Sequence, residues 1–118
     1  MTGYGNYAAS AVVMNGYLYN IGGWSAGATG VIYAKIQADG QLGAWNTTTT
    51  LPTGRLGLTT ASSNGYIYVI GGACCGAVSN SIYYAKQNSD GTVGAWSTAT
   101  ALLPANTAGH GSTISNGY

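Results

Sequence analysis

Charge is what this sequence has least of. Only 4% of its 118 residues are charged, three basic and two acidic, for a formal net charge of +1. Typical globular proteins carry about 25%. No basic patch can be built from Lys35, Arg55 and Lys86, so no nucleic-acid partner is expected. Histidine occurs once, as His110. A redox copper centre, which needs several His and Tyr ligands, is excluded. Cysteine occurs twice, as the adjacent pair Cys74-Cys75. Two thiolates without further Cys or a neighbouring His cannot complete a tetrahedral zinc site. Adjacent Cα atoms sit about 3.8 Å apart, below the usual disulfide range of about 4.4–6.8 Å, so a bond between them would be strained and easily reduced. No apolar run approaches the roughly 20 residues that a spanning helix requires, and no membrane span is expected. No secretory signal follows Met1. The pairs Gly22-Gly23 and Gly71-Gly72 precede no helix, so they form no phosphate cradle. No cofactor and no metal is expected.

What is present argues against disorder: 46% hydrophobic residues, 20 Gly and 10 Tyr. Polarity comes from Thr, Ser, Asn, Gln and Tyr, a surface that points to an extracellular or cell-surface location. The sequence also repeats along its whole length. "NGY" at Asn15 returns 49 residues on at Asn64 and 52 further on at Asn116. Gly22-Gly23 returns as Gly71-Gly72, "IYAK" (Ile32–Lys35) as "YYAK" (Tyr83–Lys86), and "ADGQLGAW" (Ala38–Trp45) as "SDGTVGAW" (Ser89–Trp96). Leu51-Pro52 returns as Leu103-Pro104.

Each unit reads as four short strands. The first is Ala9–Met14, matched by Leu58–Ser63 and by Gly111–Ser115. Asn-Gly follows, a strong two-residue hairpin signal. The second strand is Tyr17–Ile21, matched by Tyr66–Ile70, and a glycine pair ends it. A variable loop precedes the third strand, Val31–Ile36 or Ser81–Gln87. Asp39-Gly40 and Asp90-Gly91 mark a second tight hairpin, and the fourth strand runs through Trp45 or Trp96. No long apolar period of 3.6 residues supports a helix. The expected fold is all-β, built of four-stranded antiparallel sheets repeated every 50 residues or so, the pattern of β-propeller blades. "YIYVI" is apolar or aromatic on both faces, as expected for a sheet sandwiched between neighbours.

The hydrophobic run ending in Gly-Gly, then a Tyr, a Trp and "LP..R", resembles the kelch repeat. The resemblance divides the chain into kelch-like repeat 1 over 1–50, repeat 2 over 51–101, and the first strand of a third repeat over 102–118. The gaps from Gly-Gly to Tyr and from Tyr to Trp are longer here than in compact kelch repeats. The arginine is present as Arg55, while Asn6 and Thr107 take its place in the other units. The resemblance implies a propeller and a binding or scaffolding role, not chemistry, and the chain is expected not to be an enzyme. Propellers close with about four to eight blades, so two expose apolar flanks. Two readings of the partner stand: further repeats of a longer chain, or other copies of this one in an oligomer or filament.

Strand direction puts "WSAGATG", "ACCGAVSN", "LPTGRLG" and "LPANTAGHG" on one side and the Asn-Gly and Asp-Gly hairpins on the other. Candidate ligand contacts on the loop side are Trp24, Arg55, Cys74, Cys75 and His110, for a glycan or protein ligand. Each has a blander reading. Arg55 can hydrogen-bond loop carbonyls and fix the junction between units, and Cys74-Cys75 can be two small loop residues. His110 lacks an acid to orient it, because Asp39 and Asp90 lie on the far side. Tyr33, Tyr84, Trp45 and Trp96 recur at fixed places and read as core between units. Trp24 does not recur and suits an exposed sugar or protein contact. Asn46-Thr47-Thr48 is an N-glycosylation sequon.

Overall fold

Asparagine and glycine at 15–16 and 64–65 both take positive φ, 49° and 81° in the first turn and 53° and 81° in the second. That is the geometry of a two-residue turn whose twist suits a hairpin. In the computed structural model, which describes residues 9–23, 28–74, 77–101 and 103–104, these turns open two equivalent sheets. The first turn joins β1 (Ala9–Met14) to β2 (Tyr17–Gly22), with Met14 opposite Tyr17. Strands β3 (Val31–Lys35) and β4 (Asn46–Thr47) complete an antiparallel sheet in the order β1-β2-β3-β4. The second sheet is built the same way from β5 (Thr59–Ser63), β6 (Tyr66–Ile70), β9 (Ile82–Lys86) and β10 (Ser97–Thr98). Tyr19 faces Tyr33 across one sheet, and Tyr68 faces Tyr84 across the other. The protein is all-β: among the described residues no helix is long and apolar enough to cross a membrane.

One expectation needs correction, the course of the fourth strands. The Asp-Gly pairs do mark tight hairpins, as expected. Gly40 N–H donates to Gln37 O at 2.9 Å and Gln37 N–H to Gln41 O at 2.8 Å. Only the glycine takes positive φ, 86° at Gly40 and 91° at Gly91. This is a three-residue loop, a tight turn closed by a glycine bulge. The fourth strands begin one residue after Trp45 and Trp96 and are two residues long, because only Asn46–Thr47 and Ser97–Thr98 find partners in the ladder. The loop after Gly71-Gly72 is not irregular throughout. It holds a small hairpin, β7 (Ala73–Cys74) with β8 (Ala77–Val78), and Ala73 is further bridged to Leu56. The terminal strand expected over Gly111–Ser115 lies outside the described residues.

The two sheets pack face to face with β1 beside β5. Alternation decides which side chains meet. In β2, Tyr19 and Ile21 are fully buried, while Leu18 and Asn20 are half-buried. In β6 the other repeat positions are buried: Ile67 and Val69, the counterparts of Leu18 and Asn20, are buried, and Tyr66 and Tyr68 are half-buried. The first sheet therefore turns Met14, Tyr19, Ile21 and Val31, and the second Ile67, Val69, Tyr83 and Ala85, toward one shared core with Leu58 and Val93. Full burial of side chains such as these contributes about 1.5–3 kcal/mol each. The Cα radius of gyration is 13.6 Å, against roughly 13.5 Å for a compact chain of this length, so the sheets form one body.

Candidate functional site

The junction between the sheets is polar where the core ends. On the hairpin side, Gln87 works as a clasp. Its Nε2 donates to Met14 O at 3.1 Å and to the Tyr19 hydroxyl at 2.6 Å, and its Oε1 accepts from Asn15 Nδ2 at 2.8 Å. The Tyr19 hydroxyl donates onward to Gly91 O at 2.6 Å. The Tyr17 ring lies so close to Gly91 that a Cβ there would sit 2.5 Å from it. At the sheet edges, Trp96 Nε1 donates to Thr49 O at 2.9 Å, Thr49 Oγ1 to Val93 O at 2.8 Å, and Val93 N–H to Thr48 Oγ1 at 3.0 Å. Between β1 and β5, Thr60 Oγ1 donates to Ala11 O and Ser62 Oγ to Val13 O, at 3.1 and 3.2 Å.

Burial pushes the Tyr19 hydroxyl above its usual pKa, with nearby Tyr17, Tyr33 and Asp90 adding to the rise and the Gln87 hydrogen bond opposing it. A raised folded-state pKa means that the folded protein holds this proton more tightly than the unfolded chain. The resulting stability is fully present below a pH of about 10, the unfolded value for tyrosine. It is lost as pH rises from there through the folded pKa. Tyr19→Phe should cost about 1–3 kcal/mol at neutral pH, because it leaves the Gly91 carbonyl without its donor. Its deficit against the unsubstituted protein should shrink in alkaline denaturation curves above that pH. A deficit that stays constant would show that Tyr19 does not couple the junction to pH.

On the loop side, Arg55 is threaded between the sheets by its own backbone. Its N–H donates to Ala28 O at 2.8 Å, and its carbonyl accepts from Gly23 N–H at 2.9 Å. Arg55 as a whole is only 6% exposed. Nη2 donates to Ser81 Oγ, Tyr83 OH and Ser79 Oγ at 2.7, 3.1 and 3.2 Å, and Nη1 to Gly54 O at 3.2 Å. Its carbon lies 5.0 Å from the Tyr83 ring centroid, a cation–π contact. Hydroxyls therefore dominate where loop carbonyls were expected. Nε is buried with no partner among the described residues. The chain's two acids are remote from it. Asp39 and Asp90 are exposed on the hairpin loops, and Asp90 is held below its usual pKa by hydrogen bonds from Thr92. Among the described residues, Arg55 is a buried cation held by neutral groups.

The other candidates separate. Trp24, Cys75 and His110 lie outside the described residues. Cys74 ends β7, which the Leu56–Ala73 bridge ties to the link carrying Arg55. Asn46 is exposed at the start of β4, its Nδ2 donating to Ala44 O at 3.2 Å. Among the described residues no three His, Cys, Asp or Glu side chains gather as metal ligands. Of the four aromatics read as core, Trp96 and Tyr33 pack against the buried cluster, and Tyr33 lies 6.0 Å from both Tyr17 and Tyr19. Tyr84 is half-buried beside Tyr66 and Tyr68, at 6.1 and 6.3 Å. Trp45 is not core. It is 36% exposed, because no described residue occupies the place that Thr49 holds beside Trp96.

Sequence reasoning missed Gln87. Its counterpart in the first unit, one step of 51 back, is Ile36, so the exchange of an apolar for a polar residue was visible. Its meaning depends on Tyr19 and Met14 standing opposite, which is a matter of packing.

No family model matches the sequence, and no curated protein matches it. Among solved structures, that of a protein called YjhT superposes with a TM-score of 0.77 at 25% sequence identity, covering 95% of this chain and 32% of that one. This chain thus corresponds to about a third of the length of the structure it resembles.

Proposed function

We propose that this chain is a non-catalytic structural and interaction module. It supplies kelch-like propeller blades to an extracellular or cell-surface assembly, and each blade is completed by a like unit packed on its face. One observation carries the reading. The large hydrophobic side chains exposed among the described residues are Val13, Leu42 and Trp45, at 55%, 40% and 36%. Moved forward by one repeat they become Ser62, Val93 and Trp96, which all contact the first sheet. Val93 is buried there and Ser62 and Trp96 are half-buried, whereas their first-unit counterparts are exposed. The likeness to part of a longer solved chain supports the same reading. The test is to extend the chain in phase by further units and measure whether it gains stability.

A second reading, a carbohydrate-binding module that uses Trp24, Arg55, Cys74, Cys75 and His110, draws on the unpartnered Nε of Arg55. A planar guanidinium edge of that kind suits a carboxylate. A glycan array separates the two readings, since only the second expects a bound sugar, abolished in Trp24→Ala.

A further inference from the structure

The junction inside this chain is a template for one outside it. Its second-sheet half is Gly91, Val93 and Trp96. Its first-sheet half is Tyr17, Tyr19, Thr48 and Thr49. One repeat back, the first half becomes Gly40, Leu42 and Trp45 on the outer face of the first sheet. One repeat forward, the second half becomes Tyr66, Tyr68, Ala99 and Thr100 on the outer face of the second. Both sets are present, the first exposed and the second partly so. Leu42 and Trp45 are exposed, and a Cβ on Gly40 would meet nothing within 4 Å, whereas one on Gly91 strikes the Tyr17 ring. Thr100 is exposed, and Tyr66 and Tyr68 are half-buried. Among the described residues, the chain thus carries one unfilled half of the template on one sheet and the complementary half on the other.

We infer that the first sheet of one copy docks on the second sheet of another, head to tail, in the geometry of the internal junction. This rests on the like-unit reading above. In that contact the Trp45 indole N–H reaches the Thr100 carbonyl of the neighbour, as Trp96 reaches Thr49. The neighbour's Tyr68 hydroxyl reaches the Gly40 carbonyl, and its Tyr66 ring covers Gly40, as Tyr19 and Tyr17 do at Gly91. The contact is heterologous, so it propagates into a ring or an open array rather than stopping at a symmetric dimer. Two differences make it weaker than the internal junction. Ile36 replaces the Gln87 clasp, and Ala99 replaces the Thr48 hydroxyl that accepts from Val93 N–H. Association between copies therefore depends on concentration, while the internal junction is always made.

Sedimentation velocity from micromolar to millimolar protein tests this. Two variants each block one face at exposed positions: Leu42→Lys with Trp45→Ala at the head, and Thr100→Arg at the tail. Circular dichroism checks that both fold. The unsubstituted chain should gain mass with concentration, each variant alone should stay monomeric, and an equimolar mixture should give a one-to-one dimer. A wild type that stays monomeric throughout overturns the inference. So does association that survives both variants, or a mixture that does not pair. If copies fail to associate but an in-phase four-unit chain is stabilised, docking between copies is wrong and the like-unit reading stands. If neither occurs, both fall.

Discussion

Gly22→Ala should loosen the junction between the sheets, by an amount set by two independent penalties. Gly22 takes φ of 71°, a region that costs an L-residue roughly 1–2 kcal/mol. A Cβ there would also lie 2.6 Å from the Arg55 carbonyl oxygen and 2.7 Å from Leu58 Cδ2. The first of these is backbone and cannot swing away. Neighbouring Gly23 N–H donates to that same carbonyl, so relieving the clash breaks the contact that threads Arg55 between the sheets. Overpacking of a filled core adds about 1–3 kcal/mol. Denaturant unfolding should show a loss of about 2–5 kcal/mol, the sum of those ranges. The open Gly16 gives a comparison, because alanine there meets no atom within 4 Å and bears only the φ penalty. Equal losses at both sites would mean that the Gly22–Arg55 approach is not a fixed feature of the fold.

Ile67→Ala and Leu18→Ala form the second contrast. The two positions are repeat counterparts, 49 residues apart on the second strand of each unit. Ile67 is fully buried against the first sheet, while Leu18, beside Ala34 on the other face of its own sheet, is only half-buried. Truncating a buried Ile costs about 2–5 kcal/mol, through lost transfer free energy and the cavity left behind. Leu18→Ala leaves no closed cavity and should cost well under half as much. Urea unfolding of the two variants measures this directly. Similar losses would show that burial is set within each sheet and not by its neighbour.

Sequence pattern reached far into this fold because most of the fold is local. β1 and β6 have the limits read from their residues, since Asn-Gly turns and β-branched or aromatic runs fix a hairpin without outside help. The fourth strands were misplaced by one residue because a two-residue strand carries almost no pattern. The β7–β8 hairpin was missed for the same reason, and its bridge to Leu56 is nonlocal. The Asp-Gly dipeptides marked the second hairpin of each unit, while hydrogen bonding between Gln37 and Gln41 decides the length of the loop. At the candidate site the limits are plainer. Arg55 was recognisable as the lone arginine of an "LP..R" segment, but its hydroxyl partners Ser79, Ser81 and Tyr83 lie 24 to 28 residues away. Trp45 and Trp96 look alike in sequence and differ only in having a neighbour.

Unfolding temperature in a lengthened chain is the most direct test of whether each unit is completed by another. Asn116–Tyr118 repeats Asn15–Tyr17, so joining Tyr118 to Leu18 of a second copy continues the repeat without a phase break. The account predicts that this longer chain melts at a clearly higher temperature than the 118-residue protein. It also predicts that Leu18→Ala in the second copy becomes as costly as Ile67→Ala. Melting at an unchanged temperature, with the second-copy Leu18 still tolerant of alanine, would contradict it.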